Sequence, residues 1–301
     1  MLKQRKAAFS ISPNIVVAIG VLFTSFSSIF VRSSDAPALV IGMYRMLFSV
    51  VLLLPFLITE RIKIRKSAAP SDAKKARSGD YLLCVLSGVF LAIHFWTWFE
   101  SLERTSIASS TVLVDTHPIF VLIFGFIFFR ERVTRKALLY VVLALAGIAI
   151  LSFGDLVAGT DTFSGDLLAL AGAATVSGYM LIGRSVRQRI PAFTYVAIVY
   201  SVSTLTLFII GQGASIRFTG YPGKEYLIFL GIAFFCTLLG HTLFNWALKY
   251  LKTSFISMAV LTEPLYATVL GIIILREIPG GTVFLGGAII LLGVFMFVKE
   301  E

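Results

Sequence analysis

Ten long apolar stretches dominate this chain of 301 residues and leave it few possible folds. A helix needs roughly 17–25 apolar residues to cross the hydrocarbon core of a bilayer. Each stretch falls in that range and is apolar on all sides, without the two-residue alternation of a membrane β-strand. We therefore predict an all-α integral membrane protein with ten transmembrane helices. The ten stretches are 13–31, 38–58, 81–99, 105–129, 137–153, 167–183, 191–211, 226–248, 253–275 and 281–298.

The shortage of charge supports the same fold class. Charged residues make up 14% of the chain, whereas soluble domains usually contain about 25%. Most of the surface must therefore face lipid, and an ordinary soluble domain is excluded. The only two cysteines, Cys84 and Cys236, lie inside apolar stretches, so we expect packing residues and neither a disulfide nor a metal pair.

The basic residues predict the orientation of the helices. With the N-terminus inside, the inner segments hold 20 Lys and Arg residues and the outer segments hold 5. Cytoplasmic segments carry such an excess of positive charge, so both termini should be cytoplasmic. Because the charge of +10 is spread over loops, we expect no nucleic-acid partner. Short loops and the absence of a targeting or cleavable leader segment favour a multi-pass protein of a bacterial cytoplasmic (cell) membrane.

The chain contains an internal repeat. At an offset of 146 residues, six positions match in identity, and a weaker match at an offset of 152 joins the first helix of each half. The offset of 146 pairs Thr116 with Thr262, Pro118 with Pro264, Gly125 with Gly271, Arg130-Glu131 with Arg276-Glu277, and Gly147 with Gly293. The offset of 152 pairs Gly20 with Gly172, Ser25 with Ser177, Arg32 with Arg184, and Ser33 with Ser185.

These matches divide the chain into two five-helix halves, residues 1–153 and 164–301. Because five is odd, the second half must start on the opposite side of the membrane, which makes the repeat inverted. Inverted repeats recur in secondary transporters, since two near-equivalent halves can exchange conformations and open a central site to either side. The repeat therefore predicts transport.

The repeated segment P-x6-G-x4-R-E, at 118–131 and 264–277, resembles the EamA repeat of the drug/metabolite transporter superfamily. The Glu-Pro at 263–264, Arg45, and the Trp-Ala-Leu-Lys-Tyr stretch at 246–250 are similar to the same pattern. The resemblance covers essentially the whole chain. It implies a fold of two inverted five-helix repeats, alternating access, and export of small metabolites such as amino acids. Asp115 and His117 depart from the pattern, because family members are often less polar there.

Three ionisable residues near the middle of the fourth and ninth helices are candidate site residues. Asp115 and His117 lie in one helix and Glu263 in the other, and the prolines at 118 and 264 should kink both helices. Ionisable groups at this depth are costly and often functional. Two interpretations of Glu263 stay open, namely a substrate contact or proton carrier and a buried structural acid. The same choice applies to Asp115 and His117.

The third and eighth helices each present a polar stripe. His94 and Trp98 are four residues apart, as are His241 and Asn245, so each pair shares one helix face. Such groups suit a wet central cavity that binds flat or amphipathic ligands, or alternatively hold helices together by hydrogen bonds. Four tyrosines are further candidates for the cavity lining: Tyr44, Tyr179, Tyr200 and Tyr266.

Arg45, in the second helix, has three open interpretations: snorkelling to the interface, neutralising Glu263 or Asp115, or binding a substrate carboxylate. The small polar run of Thr24, Ser25, Ser27 and Ser28 is interpreted as close helix packing.

The leading function is a secondary transporter with no cofactor, and the alternatives are a passive channel and an intramembrane metalloenzyme. No Walker A sequence is present, so a gradient must drive transport. The histidines and acids lack a tight metal-ligand spacing such as H-E-x-x-H, so we expect neither a metal site nor an enzyme. The expected partners are a small-molecule substrate and the bilayer. One chain holds both repeats and is a plausible transport unit, and a dimer is equally compatible with the sequence.

Overall fold

A computed structural model describes residues 12–66, 76–129, 134–158, 160–251, 256, 259–260 and 262–300, and the whole of this part is helices, turns and short connections. The all-α prediction is confirmed for these residues, which include no strand. The α-helices are α1 (Pro13–Thr24), α2 (Ser27–Arg32), α3 (Ala38–Lys66), α4 (Ser78–Leu102), α5 (Ile107–Val114), α6 (His117–Phe129), α7 (Arg135–Ala158), α8 (Thr160–Val186), α9 (Ala192–Gly213), α10 (Gly223–Gly231), α11 (Thr242–Ala247), α12 (Glu263–Leu270) and α13 (Gly281–Glu300).

Seven helical stretches in the described residues are long and apolar enough to cross a membrane. Three shorter apolar helices, Leu138–Ile150, Glu263–Leu275 and Gly281–Gly293, occupy the remaining predicted positions. The chain is thus a helical membrane protein, while the count of ten spans, the cytoplasmic termini and the division at 153 and 164 stay predictions. The Arg130-Glu131 copy of the repeated motif lies outside the described residues.

The helix contacts repeat when each helix is replaced by its counterpart in the other half. The first helix (α1) packs against the eighth, and the sixth (α8) packs against the third (α4). Likewise, the third helix packs on the seventh (α9), and the eighth packs on the second (α3). The second and seventh helices pack on each other, as do the fifth (α7) and tenth (α13). This pattern brings corresponding residues of the two halves to one central region.

The contact between α7 and α13 is backbone to backbone. A Cβ atom on Gly147 would lie 2.8 Å from the carbonyl oxygen of Gly286, and one on Gly293 would lie 3.0 Å from the carbonyl oxygen of Tyr140. Glycine is therefore required on both sides of this crossing, because any side chain would separate the helices. The two glycines are the pair that matches at an offset of 146.

Three of the spanning stretches are irregular near their middles. The first breaks between α1 and α2 at residues 25–26, and the fourth breaks between α5 and α6 at Asp115 and Thr116. The ring of Pro118 would clash with the carbonyl of Val114 in a continuous helix, so the kink predicted at this proline takes the form of a break. Pro264 similarly lies in the first turn of α12.

The eighth stretch contains a π-helical segment, Ile232–His241, between α10 and α11. A second π-helical segment, Gly271–Leu275, follows α12 and ends at Arg276, which adopts a left-handed backbone conformation with φ of 57°. Segments of this kind are rare and often lie at functional sites. The first of them ends at His241, one of the predicted site residues.

Candidate functional site

A small cavity lies inside the bundle, between the first, third, fourth, sixth, eighth and ninth helices. Its volume is about 60 Å³, which is room for a few water molecules at roughly 10–15 Å³ each. All eight residues that the sequence indicated for a central cavity lie around it: His94, Trp98, Asp115, His117, Tyr179, His241, Asn245 and Glu263. Their role in substrate binding stays a prediction.

The lining draws on corresponding positions of the two halves. His94 and His241 are 147 residues apart, and so are Trp98 and Asn245. The pair of His117 and Glu263 is 146 residues apart. The two halves therefore present the same positions to one space, with different side chains at two of the three.

Glu263, at the start of α12, is held by the first helix. The Thr24 hydroxyl donates a hydrogen bond to Glu263 Oε2 at 2.7 Å. Both side chains are buried, with exposed fractions of 2% and 7%. Because Thr24 is the last residue of α1, this bond joins the break in the first helix to the start of α12.

The break in the fourth helix is anchored on the other side of the cavity. The Ser177 hydroxyl of α8 donates to the carbonyl oxygen of His117 at 2.8 Å, which satisfies one of the backbone groups near the break. The Thr116 hydroxyl likewise donates to the carbonyl of Leu113 at 2.6 Å. Asp115 and His117 are buried at this break and face the cavity.

One wall of the cavity is aromatic. The imidazole of His94 stacks on the indole of Trp98, with ring centroids 5.7 Å apart and an interplanar angle of 23°. The His94 Nδ1 atom is 3.0 Å from the carbonyl oxygen of Gly172, and Phe95 packs edge-on against His241. The His94 side chain therefore both bonds a neighbouring helix and lines the cavity, so the two interpretations of this residue are compatible.

The side-chain amide of Asn245 has a fixed orientation. Its Nδ2 atom donates to the carbonyl oxygen of His241 at 2.8 Å and to the Tyr179 hydroxyl at 2.5 Å. A carbonyl only accepts, so the atom that faces it must be the nitrogen. The Oδ1 atom of Asn245 is consequently an acceptor, and it has no partner among the described residues.

Arg45 lies behind the cavity wall and does not snorkel outward, because its side chain is fully buried. It donates to Thr237 Oγ1 at 2.8 Å and Ser27 Oγ at 2.9 Å, and its guanidinium is 4.0 Å from the centroid of the Phe95 ring. Glu263 attracts it electrostatically, yet the two form no ion pair within the described structure. Of its three open interpretations, snorkelling is wrong, and the neutralisation of Glu263 or Asp115 and the binding of a substrate carboxylate stay predictions.

Four polar atoms of the cavity lining are buried without a hydrogen-bond partner in the part of the chain that the structure describes. They are Trp98 Nε1, Asp115 Oδ2, His117 Nε2 and Asn245 Oδ1. Buried polar groups in native proteins are nearly always paired, and each exception needs an explanation. A site for a polar ligand is one such explanation.

Two cavity residues were assigned to helix packing by the sequence. Thr24 and Ser27 contact neighbouring helices, as predicted, and line the cavity as well. The signal that could have found them is the hydroxyl cluster at 24–28, which coincides with the break in the first helix.

Three of the four candidate tyrosines lie elsewhere. Tyr44 donates to the carbonyl of Phe218, Tyr200 is within 3.1 Å of the Thr242 hydroxyl, and Tyr266 is exposed on the surface. Of the four, Tyr179 on α8 lines the cavity, whereas Tyr266 lies on another lining helix, α12, with its side chain on the outer surface.

One end of the bundle, the predicted outer end, is closed by a group of contacts that we call the outer-end cluster: Arg32, Thr105, Ile107 and Glu277. Arg32 NH2 is 3.3 Å from Glu277 Oε2 and 3.4 Å from the carbonyl oxygen of Thr105. The backbone N–H of Ile107 donates to Glu277 Oε1 at 2.5 Å. The cluster joins the ends of the first, fourth and ninth helices. Arg184, the repeat counterpart of Arg32, is exposed at the opposite end.

The predicted inner end is tied by a different set of bonds. Arg189 donates to both carboxylate oxygens of Asp80, at 2.6 and 2.8 Å, and this hydrogen bonding raises the pKa of Arg189. Arg187 Nε donates to the carbonyl oxygen of Asn245 at 3.1 Å. Glu60 accepts from the backbone N–H groups of Phe193 and Thr194 at the start of α9.

The described residues contain no group of three or more His, Cys, Asp and Glu side chains placed to hold a metal ion. The described helices form an apolar bundle with a paired pattern of helix contacts and a buried cavity between the halves. Together they define a multi-pass helical membrane protein with an internal polar site.

Comparison with known proteins gives the family. The sequence profile of the EamA-like transporter family matches residues 11–153 and again residues 163–299. The chain belongs to this family, and the resemblance to the EamA repeat is confirmed.

Two relatives are also named as transporters. The uncharacterized transporter YwfM of Bacillus subtilis is 27% identical over 216 residues, which cover 71% of this chain and 72% of YwfM. Human solute carrier family 35 member G1 is 24% identical over 270 residues, which cover 85% of this chain and 70% of the relative. One solved crystal structure has the same fold, with a TM-score of 0.64 at 14% identity over 94% of this chain and 95% of that chain.

Proposed function

We propose that this chain is a secondary transporter of a bacterial cytoplasmic membrane that exports small metabolites such as amino acids by alternating access. A gradient of substrate or ions drives it, and a single chain with both repeats is the transport unit. Membership of the EamA-like transporter family supports the transporter class.

The observation that carries the proposal is the cavity between the halves. Positions related by the repeat line it on both sides: His94 with His241, Trp98 with Asn245, and His117 with Glu263. A site built from equivalent positions keeps its surroundings when the two halves exchange conformations, which is what alternating access requires.

The closed state of the cavity fits the same mechanism. A volume of about 60 Å³ is too small for an amino acid, so the helices must separate to admit one. The outer-end cluster joins helices of different halves at one end of the bundle, where Arg32 contacts Glu277. Release of these contacts is the movement that we assign to opening at this end.

The test is counterflow of labelled amino acids in proteoliposomes that contain the pure protein. We expect saturable counterflow of one or more amino acids and its loss, or the loss of its pH dependence, in Glu263→Gln. Asp35→Asn is the matched control, because the Asp35 side chain is 91% exposed and lies outside the cavity.

Each result decides a separate point. Saturable flux that Glu263→Gln leaves unchanged keeps the carrier and makes Glu263 a structural acid. Flux without saturation or counterflow indicates a channel. The absence of any flux with every amino acid removes the amino-acid assignment.

A further inference from the structure

We propose that the cavity recognises its substrate through a positively charged ammonium group, and that a substrate carboxylate is not required for binding. This inference rests on the proposed function, since it assumes that the cavity is the substrate site. It adds the charge and the hydrogen-bonding character of the group that the site takes.

The fixed charges of the lining are acidic. Asp115 and Glu263 both face the cavity, and no Lys or Arg is among the described residues that line it. Two ionised carboxyl groups in one cavity repel each other, and neither of these has an ion-pair partner within the described structure. A cationic group between them would relieve that repulsion, while a carboxylate would add a third negative charge.

The nearby cation does not serve this purpose. Arg45 is separated from the cavity by Ser27, which accepts one of its hydrogen bonds. Its other contacts are the hydroxyl of Thr237 and the face of the Phe95 ring. The guanidinium thus contacts the first, third and eighth helices, and neither carboxyl group accepts a hydrogen bond from it within the described structure.

Two of the four lining atoms without partners are oxygens that can accept a hydrogen bond from a ligand. Asp115 Oδ2 is a carboxyl oxygen, and Asn245 Oδ1 is an acceptor because its amide nitrogen is committed to the His241 carbonyl. An ammonium group offers three donors and no acceptor. A carboxylate would leave both oxygens unpaired and would bond only Trp98 Nε1 and the imidazole of His117.

The remaining wall suits the body of an organic amine. Trp98 and His94 form a stacked aromatic surface on the cavity, and Phe244 and Tyr179 also line it. Aromatic faces attract cations and pack flat or apolar groups. We therefore infer a substrate with one ammonium group and a compact apolar or aromatic body.

The experiment compares ligands that share a body and differ in charge. One set is 3-methylbutylamine, leucine and 4-methylpentanoate, and the other is phenethylamine, phenylalanine and 3-phenylpropanoate. Binding is measured as the ligand-dependent increase in the melting temperature of the purified full chain, and exchange is measured by counterflow in proteoliposomes. We expect the amine and the amino acid of at least one set to bind on the order of 100-fold more tightly than the carboxylate, as Coulomb repulsion in a partly desolvated site implies.

Asp115→Asn, which keeps the shape and removes the charge, is expected to lower amine affinity by at least about tenfold. Asp35→Asn is the control and should leave it unchanged. Equal or tighter binding of a carboxylate overturns the inference, as does undiminished amine binding in Asp115→Asn or the failure of every amine to bind. If Asp115→Asn does not fold, the discrimination by the unmodified chain still decides.

The two proposals fail in different ways. Counterflow of carboxylates without amines overturns the ammonium assignment and keeps the transporter. Amine binding without counterflow of any solute keeps the ammonium assignment and removes the transport function.

Discussion

The hydrogen bond between Thr24 and Glu263 should be worth a measurable part of the stability of this protein. Thr24→Val removes the donor at almost unchanged volume, and Glu263→Gln removes the charge. The O···O distance of 2.7 Å lies at the long end of the range for charge-assisted O–H···O⁻ bonds. Hydrogen bonds to charged groups contribute about 1.5–3 kcal/mol, against about 0.5–1.5 kcal/mol between neutral groups. Glutamine at position 263 can still accept a hydrogen bond from the Thr24 hydroxyl, so the cycle measures the difference between the charged and the neutral bond. We therefore expect a coupling free energy of about 1–1.5 kcal/mol.

A double-mutant cycle is needed because the Thr24 hydroxyl has two neighbours. It lies 3.0 Å from the carbonyl oxygen of Val21 as well, so the single substitution removes two contacts, and only the cycle isolates the pair. The free energies of unfolding come from denaturant titration in detergent micelles, followed by helical circular dichroism.

Thr204→Val is the matched control for this cycle. The Thr204 hydroxyl is partly buried and bonds the carbonyl of Tyr200 in its own helix, so its removal should cost less than about 0.5 kcal/mol. Single-variant effects on Thr24 and Glu263 that add to within about 0.5 kcal/mol would refute the reasoning, because additivity means that the two groups do not interact.

Three further predictions concern the scaffold around the cavity, each measured by the same unfolding assay. Gly147→Ala should lower stability by about 1–3 kcal/mol, because its Cβ would lie 2.8 Å from two backbone atoms of α13. Gly281→Ala is the control, since no atom lies within 4 Å of its Cβ. Equal effects of the two substitutions would contradict the packing of α7 on α13. Glu277→Gln should cost about 1.5–3 kcal/mol, since its carboxylate accepts a backbone and an arginine hydrogen bond; an unchanged stability would mean that the outer-end cluster is open in solution. Asp80→Asn should lower stability, and adding Arg189→Gln should lower it little further because the pair is already broken. Independent effects would show that the two groups are not paired.

Much of the fold follows from the sequence because the bilayer restricts the alternatives so strongly. Apolar runs of spanning length predict helices, and nearly all the predicted stretches coincide with helices in the described residues. The break at residues 25–26 and the π-helical segment Ile232–His241 were not predicted. Neither has a proline or other strong signal inside it, since both depend on packing between helices distant in sequence.

The candidate site was predictable to the extent that polarity inside a membrane is costly. His94, Trp98 and Glu263 stand out in apolar surroundings, and the structure brings them to one cavity. Thr24 did not stand out, because hydroxyl groups bond their own helix cheaply and are common at helix contacts. The sequence did not distinguish Tyr179 from the other three candidate tyrosines, since amphipathic rings occur at lipid interfaces, at helix contacts and in cavities alike.

The asymmetry between Arg32 and Arg184 has a thermodynamic consequence. The two arginines hold matching places in the repeat, yet one is engaged in the outer-end cluster and the other is exposed. If the halves exchange conformations, the contacts at the outer end break, and Arg184 stands in the corresponding place at the other end. A carrier returns to its starting state in every cycle, so the gradients across the membrane set the net direction of flux, and no preference built into the protein does so.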